Sequence, residues 1–250
     1  MAPPGIGRSV EGHHAVAAAV AAGRVVRLLV ERRRADGYEE LIRAARDSGA
    51  DVELVDDVRP MADTTSPQGL VARCRPIPLV SLEQAAESGD QGTDPAAVLV
   101  LDHIEDPRNV GAIARSAAAA GIGALVIASR RSAPLEGTAF KAAAGALEHL
   151  PVCVVSSIPA AVDGLRDRGL WIVGLDGEAS DSLFGLGLLT EPVALVVGAE
   201  GKGLGRLSAE RCDVLAAIPI TPEVESLNAS VAAALAVFEV RRARGWTAGD

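Results

Sequence analysis

Cysteine is scarce in this chain: Cys74, Cys153 and Cys212 are the only three. An odd number with no C-x-x-C spacing predicts neither a disulfide framework nor a zinc site. The four histidines, His13, His14, His103 and His149, are scattered without ligand spacing, so no metal is expected. Aromatic residues make up 2% of the sequence, too few for recognition by successive base stacking. No apolar run approaches the ~20 residues of a membrane-spanning helix. The stretch Met1 to Arg8 lacks the basic-then-apolar order of a secretory signal. A reduced, cytoplasmic setting without a membrane partner is therefore expected. Positive charge is also in short supply. A net charge of −9 argues against a general polyanion binder, because nonspecific nucleic-acid affinity comes mostly from Lys and Arg neutralising phosphates. The basic residues are unevenly placed, however: Arg24, Arg27, Arg32, Arg33 and Arg34 cluster early, and Arg241, Arg242 and Arg244 late. A local basic surface is compatible with an acidic average, and each run reads equally well as a solvated face.

What is present is a strand-and-helix rhythm. From Ala97 onward, apolar runs recur at Val98–Leu101, Leu125–Ala128, Val152–Val155, Trp171–Leu175, Val193–Val197 and Val214–Ile218, with helical stretches between. This predicts an α/β domain with a mostly parallel sheet covered on both faces. The Ala-rich segment Gly111–Ala120 and the segment Asn228–Arg244, with Val231, Leu235 and Phe238 at helical spacing, read as helices packed on that sheet. An earlier, smaller α/β unit is predicted from a helix at Glu11–Ala22, a strand at Val25–Val30, a helix at Tyr38–Ser48 and a strand at Asp51–Val55. Residues 87–95 are polar and lack apolar periodicity, which places an interdomain linker there, between domains at 1–86 and 96–250.

Three stretches of the second half are unlike generic α/β sequence. The first runs from Leu101 through Asp106-Pro107-Arg108-Asn109 to Gly111 and Arg115. It passes from a strand end to a helix start, where α/β proteins place ligands. Asn109 also reads simply as a helix cap. Arg115 is a lone large cation in an Ala-rich helix, with no packing reason to be there, or else a surface residue. The second stretch, Val197-Gly198-Ala199-Glu200-Gly201-Lys202-Gly203-Leu204-Gly205, packs four glycines behind a strand. A phosphate-binding P-loop ending at Gly201-Lys202 fails, since Val196 stands where glycine is needed and Gly203 where Ser or Thr is needed. A dinucleotide fingerprint starting at Gly201 fails at Arg206. The third stretch leads from Ile218-Pro219 through Pro222 to Ser226-Leu227-Asn228-Ala229-Ser230. One cap would suffice for the last helix, so its polar cluster leaves groups over for a ligand. No His/Asp partner pattern accompanies the serines, and His103 reads as an ordinary polar loop residue in preference to a substrate contact.

Together and in this order, the three stretches resemble the signature motifs of the SpoU family, within the knotted SPOUT class of methyltransferases. Val10-Glu-Gly-His-His-Ala-Val and Gln68-Gly-Leu-Val-Ala resemble the substrate-binding domain of bacterial 23S rRNA guanosine 2′-O-methyltransferases. The resemblance implies a trefoil-knotted catalytic domain preceded by a small, ribosomal-protein-like RNA-binding domain, and a homodimer with its site at the subunit interface. It implies S-adenosylmethionine as cofactor, touching Gly198, Ile218 and Leu227, and no metal. It ties Asn109, Arg115, Glu200, Ser226 and Asn228 to catalysis or substrate positioning, with methylation of a ribose 2′-hydroxyl in RNA as the activity. By the same resemblance the RNA is a 23S rRNA, a tRNA or the target of a resistance methyltransferase, and an assembly factor without catalysis is the alternative from another class. Two departures stand out. After Ile218-Pro219 this chain has Ile220, Thr221 and Pro222 where the family usually has Met, any residue and then Gly, and Pro67 precedes Gln68 where relatives commonly carry histidine.

Overall fold

The computed structural model describes residues 5–88 and 95–245. Its chain forms two compact units, Met1–Leu79 with Pro134–His149 and Val80–Ala133 with Leu150–Asp250. Of the stretch read as a linker, only residues 87, 88 and 95 fall among those described.

The first unit opens with β1 (Ser9–Glu11), α1 (His13–Ala21), β2 (Val25–Glu31), α2 (Glu39–Asp47), β3 (Asp51–Val55) and β4 (Leu70–Cys74). Its sheet runs β1-β4-β2-β3; β4 is antiparallel to both neighbours, and β2 and β3 are parallel. The helices and the strands β2 and β3 were legible from periodicity. Strands β1 and β4 were not: the three-residue β1 is too short to establish an alternation, and β4 shows none, being buried at every position but Arg73. Glu11 at the end of β1 is fully buried, and its carboxylate accepts from the backbone N–H groups of Asp63 and Thr64. The helix that follows β1 has glycine at its N-cap position, and Gln68 supplies the missing acceptor: its Oε1 takes the His13 N–H at 3.0 Å.

The second unit contributes α3 (Leu82–Glu87), β5 (Ala97–Asp102), α4 (Pro107–Ala119) and β6 (Ala124–Ala128). The next helix, α5 (Gly137–Ala143), belongs to the first unit. There Phe140 is buried against Gly7, where a Cβ would lie 2.4 Å from its ring. In the same unit Glu148 accepts from Arg24 Nε at 2.6 Å. A division read from linear composition cannot anticipate this return, which rests on contacts more than a hundred residues apart in sequence. The chain then continues with β7 (Val152–Val155), α6 (Ile158–Arg166), β8 (Trp171–Leu175), β9 (Asp181–Ser182), β10 (Val193–Gly198), α7 (Arg206–Ala209), β11 (Val214–Ala217) and α8 (Ala229–Ala243).

All seven strands of this sheet are parallel, in the order β7-β6-β5-β10-β8-β11-β9. The central strands are buried on both faces, as their continuous apolar runs predict. Val98, Val100, Val126, Ala194 and Val196 face α3 and α6, where they meet Ala85, Ile158, Val162 and Leu165. Helices α4 and α8 pack against each other. Their buried faces are mostly small, with Ala114, Ala117, Ala233 and Ala236 fully covered. The stripe Val231, Leu235 and Phe238, read from sequence as the packed face of α8, instead points outward at 46%, 39% and 38% exposure. The alanine and valine stripe on the opposite face takes the interior because it permits the closer approach. Among the described residues no helix is long and apolar enough to cross a membrane.

Candidate active site

Three polypeptide segments leave the C-terminal ends of β5, β10 and β11, all interior strands of the parallel sheet. Behind β5, the fully buried Asp102 accepts the Gly205 N–H on Oδ2 at 2.8 Å, which ties this loop to the glycine-rich one. Asp106 then caps α4 by accepting the Arg108 N–H at 2.8 Å, with Pro107 as the first helical residue. The helix therefore begins a turn earlier than Gly111, and Asn109 lies inside its first turn, so the capping role considered for Asn109 falls to Asp106.

Behind β10 the glycines build a tight hairpin. Ala199 and Gly203 exchange backbone hydrogen bonds of 3.1 and 2.9 Å. A Cβ at Gly198 would sit 2.1 Å from the Gly203 carbonyl carbon, and Gly201 and Gly203 hold φ of +69° and +62°. Only glycine satisfies both demands without strain, and the result is a hairpin carrying Glu200 on its outer turn. Behind β11, the Val224 N–H bonds to the Thr221 carbonyl at 3.1 Å, placing Pro222 at the second position of a β-turn. Its fixed φ suits that position. The segment ends at Asn228, which caps α8 by accepting the Ser230 N–H at 2.8 Å.

These segments converge on one carboxylate oxygen. Glu200 Oε1 accepts from Asn109 Nδ2 at 3.0 Å, from Asn228 Nδ2, and from the Ala229 N–H at 3.3 Å. Asn228 Nδ2 also reaches Asn109 Oδ1 at 3.2 Å. Three residues that the sequence places far apart thus form a single polar knot between the starts of α4 and α8. Charge-assisted bonds of this kind are stronger than neutral ones.

Two clefts flank the Glu200 hairpin. One, of about 470 Å³, is lined by Gly198, Ile218, Ser226 and Leu227 together with Leu175 and Asp176. The other, of about 580 Å³, is lined by His103, Asn109, Arg131, Glu200 and Lys202. Of the eight residues singled out from sequence, seven therefore belong to this region: Asn109, Gly198, Glu200, Ile218, Ser226, Leu227 and Asn228. Arg115 does not join them. It lies exposed on α4, lines neither cleft, and has no hydrogen-bond or ion-pair partner among the described residues. Ser226 is exposed and lines its cleft without a hydrogen bond to another described residue. Among the described residues no group of three or more His, Cys, Asp or Glu is placed to hold a metal ion.

Sequence reasoning took His103 for an ordinary loop residue and passed over Arg131. Both hold left-handed backbone at φ +62° and +55°, a property no residue pattern announces, and both line the same cleft. The basic runs, conversely, are largely consumed within the fold. Arg24 pairs with the buried Glu148, Arg27 with Glu53, Arg33 and Arg34 with Glu31, and Arg242 with Glu239. Arg244 donates to the carbonyls of Pro95, Leu189 and Glu191. In the first unit the rings of His13 and Tyr38 stack at 5.7 Å, beside Gln68, whose carbonyl accepts the Tyr38 hydroxyl. Scarce aromatics do not preclude a local pair.

Comparison with known proteins bears on the whole chain. Residues 96–238 match the SpoU rRNA Methylase family, and residues 9–80 match the RNA 2′-O ribose methyltransferase substrate binding family. The chain is 37% identical to a 23S rRNA (guanosine-2′-O-)-methyltransferase of Photobacterium profundum, over 93% of this chain and 96% of that protein. It is 44% identical to the protein so named in Xylella fastidiosa, over 71% of each. The crystal structure of the SpoU methyltransferase AviRb from Streptomyces viridochromogenes, in complex with AdoMet, superposes with a TM-score of 0.76 at 28% identity, covering 94% of this chain and 90% of that one.

Proposed function

The chain belongs to the SpoU rRNA methylase family, and from that premise we propose that it methylates the ribose 2′-hydroxyl of a guanosine in 23S rRNA, using S-adenosylmethionine. The observation that carries this reading is the convergence of Asn109, Glu200 and Asn228 at the strand ends beside the cleft lined by Gly198, Ile218 and Leu227. That cleft fits the cofactor chemically: Leu175, Ile218 and Leu227 offer apolar walls to an adenine, and the carboxylates of Asp176 and Glu178 suit a cationic molecule with free hydroxyls. When bound, the cofactor supplies a sulfonium methyl open to attack by an alcohol. Glu200 fixes the relation between the cofactor cleft and the neighbouring cleft, which then receives the RNA. Ser226 and Asn228 orient the ribose. Arg115 stays protonated and stabilises the developing alkoxide while holding an RNA phosphate.

The outward position of Arg115 favours a homodimer in which this residue serves a site completed by a second copy. The outward stripe of Val231, Leu235 and Phe238 on α8, the helix packed against the one that carries Arg115, gives such a copy an apolar seat. The trefoil knot, the absence of a metal requirement and a cytoplasmic location complete the reading. The first unit binds the RNA, with the His13 and Tyr38 rings and Gln68 in reach of a nucleotide.

Two measurements test it. Mapping 2′-O-methyl positions in RNA from cells with and without the gene names the target, and loss of one guanosine mark in 23S rRNA is expected. Arg115→Ala is expected to abolish turnover while leaving S-adenosylmethionine binding measurable by calorimetry. Full turnover in that variant would remove Arg115 from the mechanism.

A further inference from the structure

Arginine cannot take the proton that a 2′-hydroxyl must lose, because the guanidinium remains protonated in proteins. The destination of that proton is open, and the structure offers a group for it. We propose that His103, steadied by the buried carboxylate of Asp102, accepts the hydroxyl proton, an inference that rests on the methyltransferase reading above.

The argument begins with the backbone. His103 is held at φ +62°, where a non-glycine residue sits at a cost of about 1 kcal/mol. Nothing in a polar loop demands histidine there, since glycine would adopt the same conformation freely. What the histidine gains is proximity to Asp102: its Nδ1 lies 2.6 Å from Asp102 Oδ1. The two do not form a full hydrogen bond, yet the approach matters, because Oδ1 is buried and has no other partner among the described residues. The second carboxylate oxygen is already committed to the Gly205 N–H at 2.8 Å. Asp102 is thereby fixed and presents one unsatisfied oxygen to the imidazole. A proton on Nδ1 would face that oxygen, and in this tautomer the Nε2 lone pair is available.

The surroundings suit the task. His103 lines the cleft shared by Asn109, Glu200 and Arg131 and is partly open, its side chain 42% exposed. The other acidic groups of that cleft are worse placed to act as bases. Glu200 already accepts three hydrogen bonds, Asp106 is engaged as the α4 cap, and Glu105 is an exposed carboxylate, a weaker base than an imidazole. Arg131, without a described partner and in the same cleft, provides a cation for the adjoining phosphate.

The step balances. Nε2 of neutral His103 takes the proton as the ribose oxygen bonds the methyl carbon, whose bond to sulfur breaks with its electron pair remaining on sulfur. One positive charge moves from the sulfonium to the imidazolium, where Asp102 stabilises it, and the proton then leaves to solvent from the exposed ring.

His103→Gly is the decisive variant, because glycine suits the left-handed backbone and the melting temperature should hold or rise. With 23S rRNA transcribed in vitro as substrate, kcat is expected to fall about 100-fold with KM for RNA little changed. Added imidazole should restore at least about tenfold of that loss, as the vacated space admits a free base. In the wild-type protein, ¹⁵N shifts of the His103 ring should report a neutral, Nδ1-protonated tautomer. Activity within about threefold of wild type, a loss that imidazole does not restore, or an Nε2-protonated ring would each overturn the assignment. Failure of the wild-type protein itself to methylate any RNA would instead defeat the broader reading, so the two failures are distinguishable.

Discussion

Glu200 shows how much one side chain decides at the residue scale. Its Oε1 holds Asn109, Asn228 and the Ala229 N–H together, and so fixes the start of α4 against the start of α8. Glu200→Ala removes the shared acceptor from an exposed site, so the penalty to global stability should be small. Its effect on positioning should be large, because displacement of reacting groups by about 1 Å can cost about 100-fold in rate. The expected result is a drop of that order in kcat/KM with a nearly unchanged melting temperature, and partial recovery in Glu200→Gln, which keeps one acceptor oxygen. A Glu200→Ala enzyme with wild-type kinetics would mean that the cluster is merely structural. The cluster's members were legible in the sequence because polar residues at three strand ends exceeded what caps and turns require. Their bonding was not legible: that Asp106 caps α4 and frees Asn109 depends on which side chain reaches a given N–H, and the spacing permits either. Arg131 escaped, and His103 was read as an ordinary loop residue, for a related reason, since left-handed φ is a property of the folded backbone.

At the scale of elements, all six strands read from apolar runs in the second half are present, because strands buried on both faces must be apolar throughout. The failure on α8 is the instructive one. Leucine and phenylalanine at helical spacing predict an inward face, but the alanine stripe opposite them packs, leaving Val231, Leu235 and Phe238 in solvent. Hydrophobic periodicity cannot tell a face covered by its own sheet from one reserved for another chain, since both bury the same atoms. Leu235→Glu should discriminate. Leu235 contributes little to the chain's own core, so the melting temperature of the isolated protomer should change by no more than about 0.5 kcal/mol of stability would produce. A charge within an apolar interface is costly, so if the proposed homodimer is seated on this stripe, sedimentation should show a dimer for the wild type and a monomer for the variant, and methylation should fall with it. A Leu235→Glu protein that remains dimeric would place the interface elsewhere.

For the whole molecule, the striped chemistry of the sheet was readable but the return of Pro134–His149 to the first unit was not, because it is made through Phe140 and Glu148 rather than at any linear boundary. The three cysteines acquire their meaning at this scale as free thiols, Cys74 and Cys153 buried and Cys212 half-buried. Burial pushes the Cys74 thiol up from 9.0 to about 11, and burial, aided by the neighbouring Asp213, pushes Cys212 up to about 12. Below pH 9 both folded and unfolded chains keep these protons, and the thiols leave stability independent of pH. Between pH 9 and about 11 to 12 the unfolded chain releases protons that the folded chain retains, so stability must fall as pH rises, by at most about 1.4 kcal/mol per pH unit for each thiol. With one tyrosine, and Lys141 and Lys202 as its only lysines, the chain has few competing groups in this window. Urea midpoints measured from pH 8 to 11 should therefore decline above pH 9 in the wild type. Cys74→Ala and Cys212→Ala will each lower the midpoint throughout, because both leave a cavity, but the slope above pH 9 should flatten. Equal slopes in wild type and variants would show that these thiols do not govern the alkaline limit of the fold.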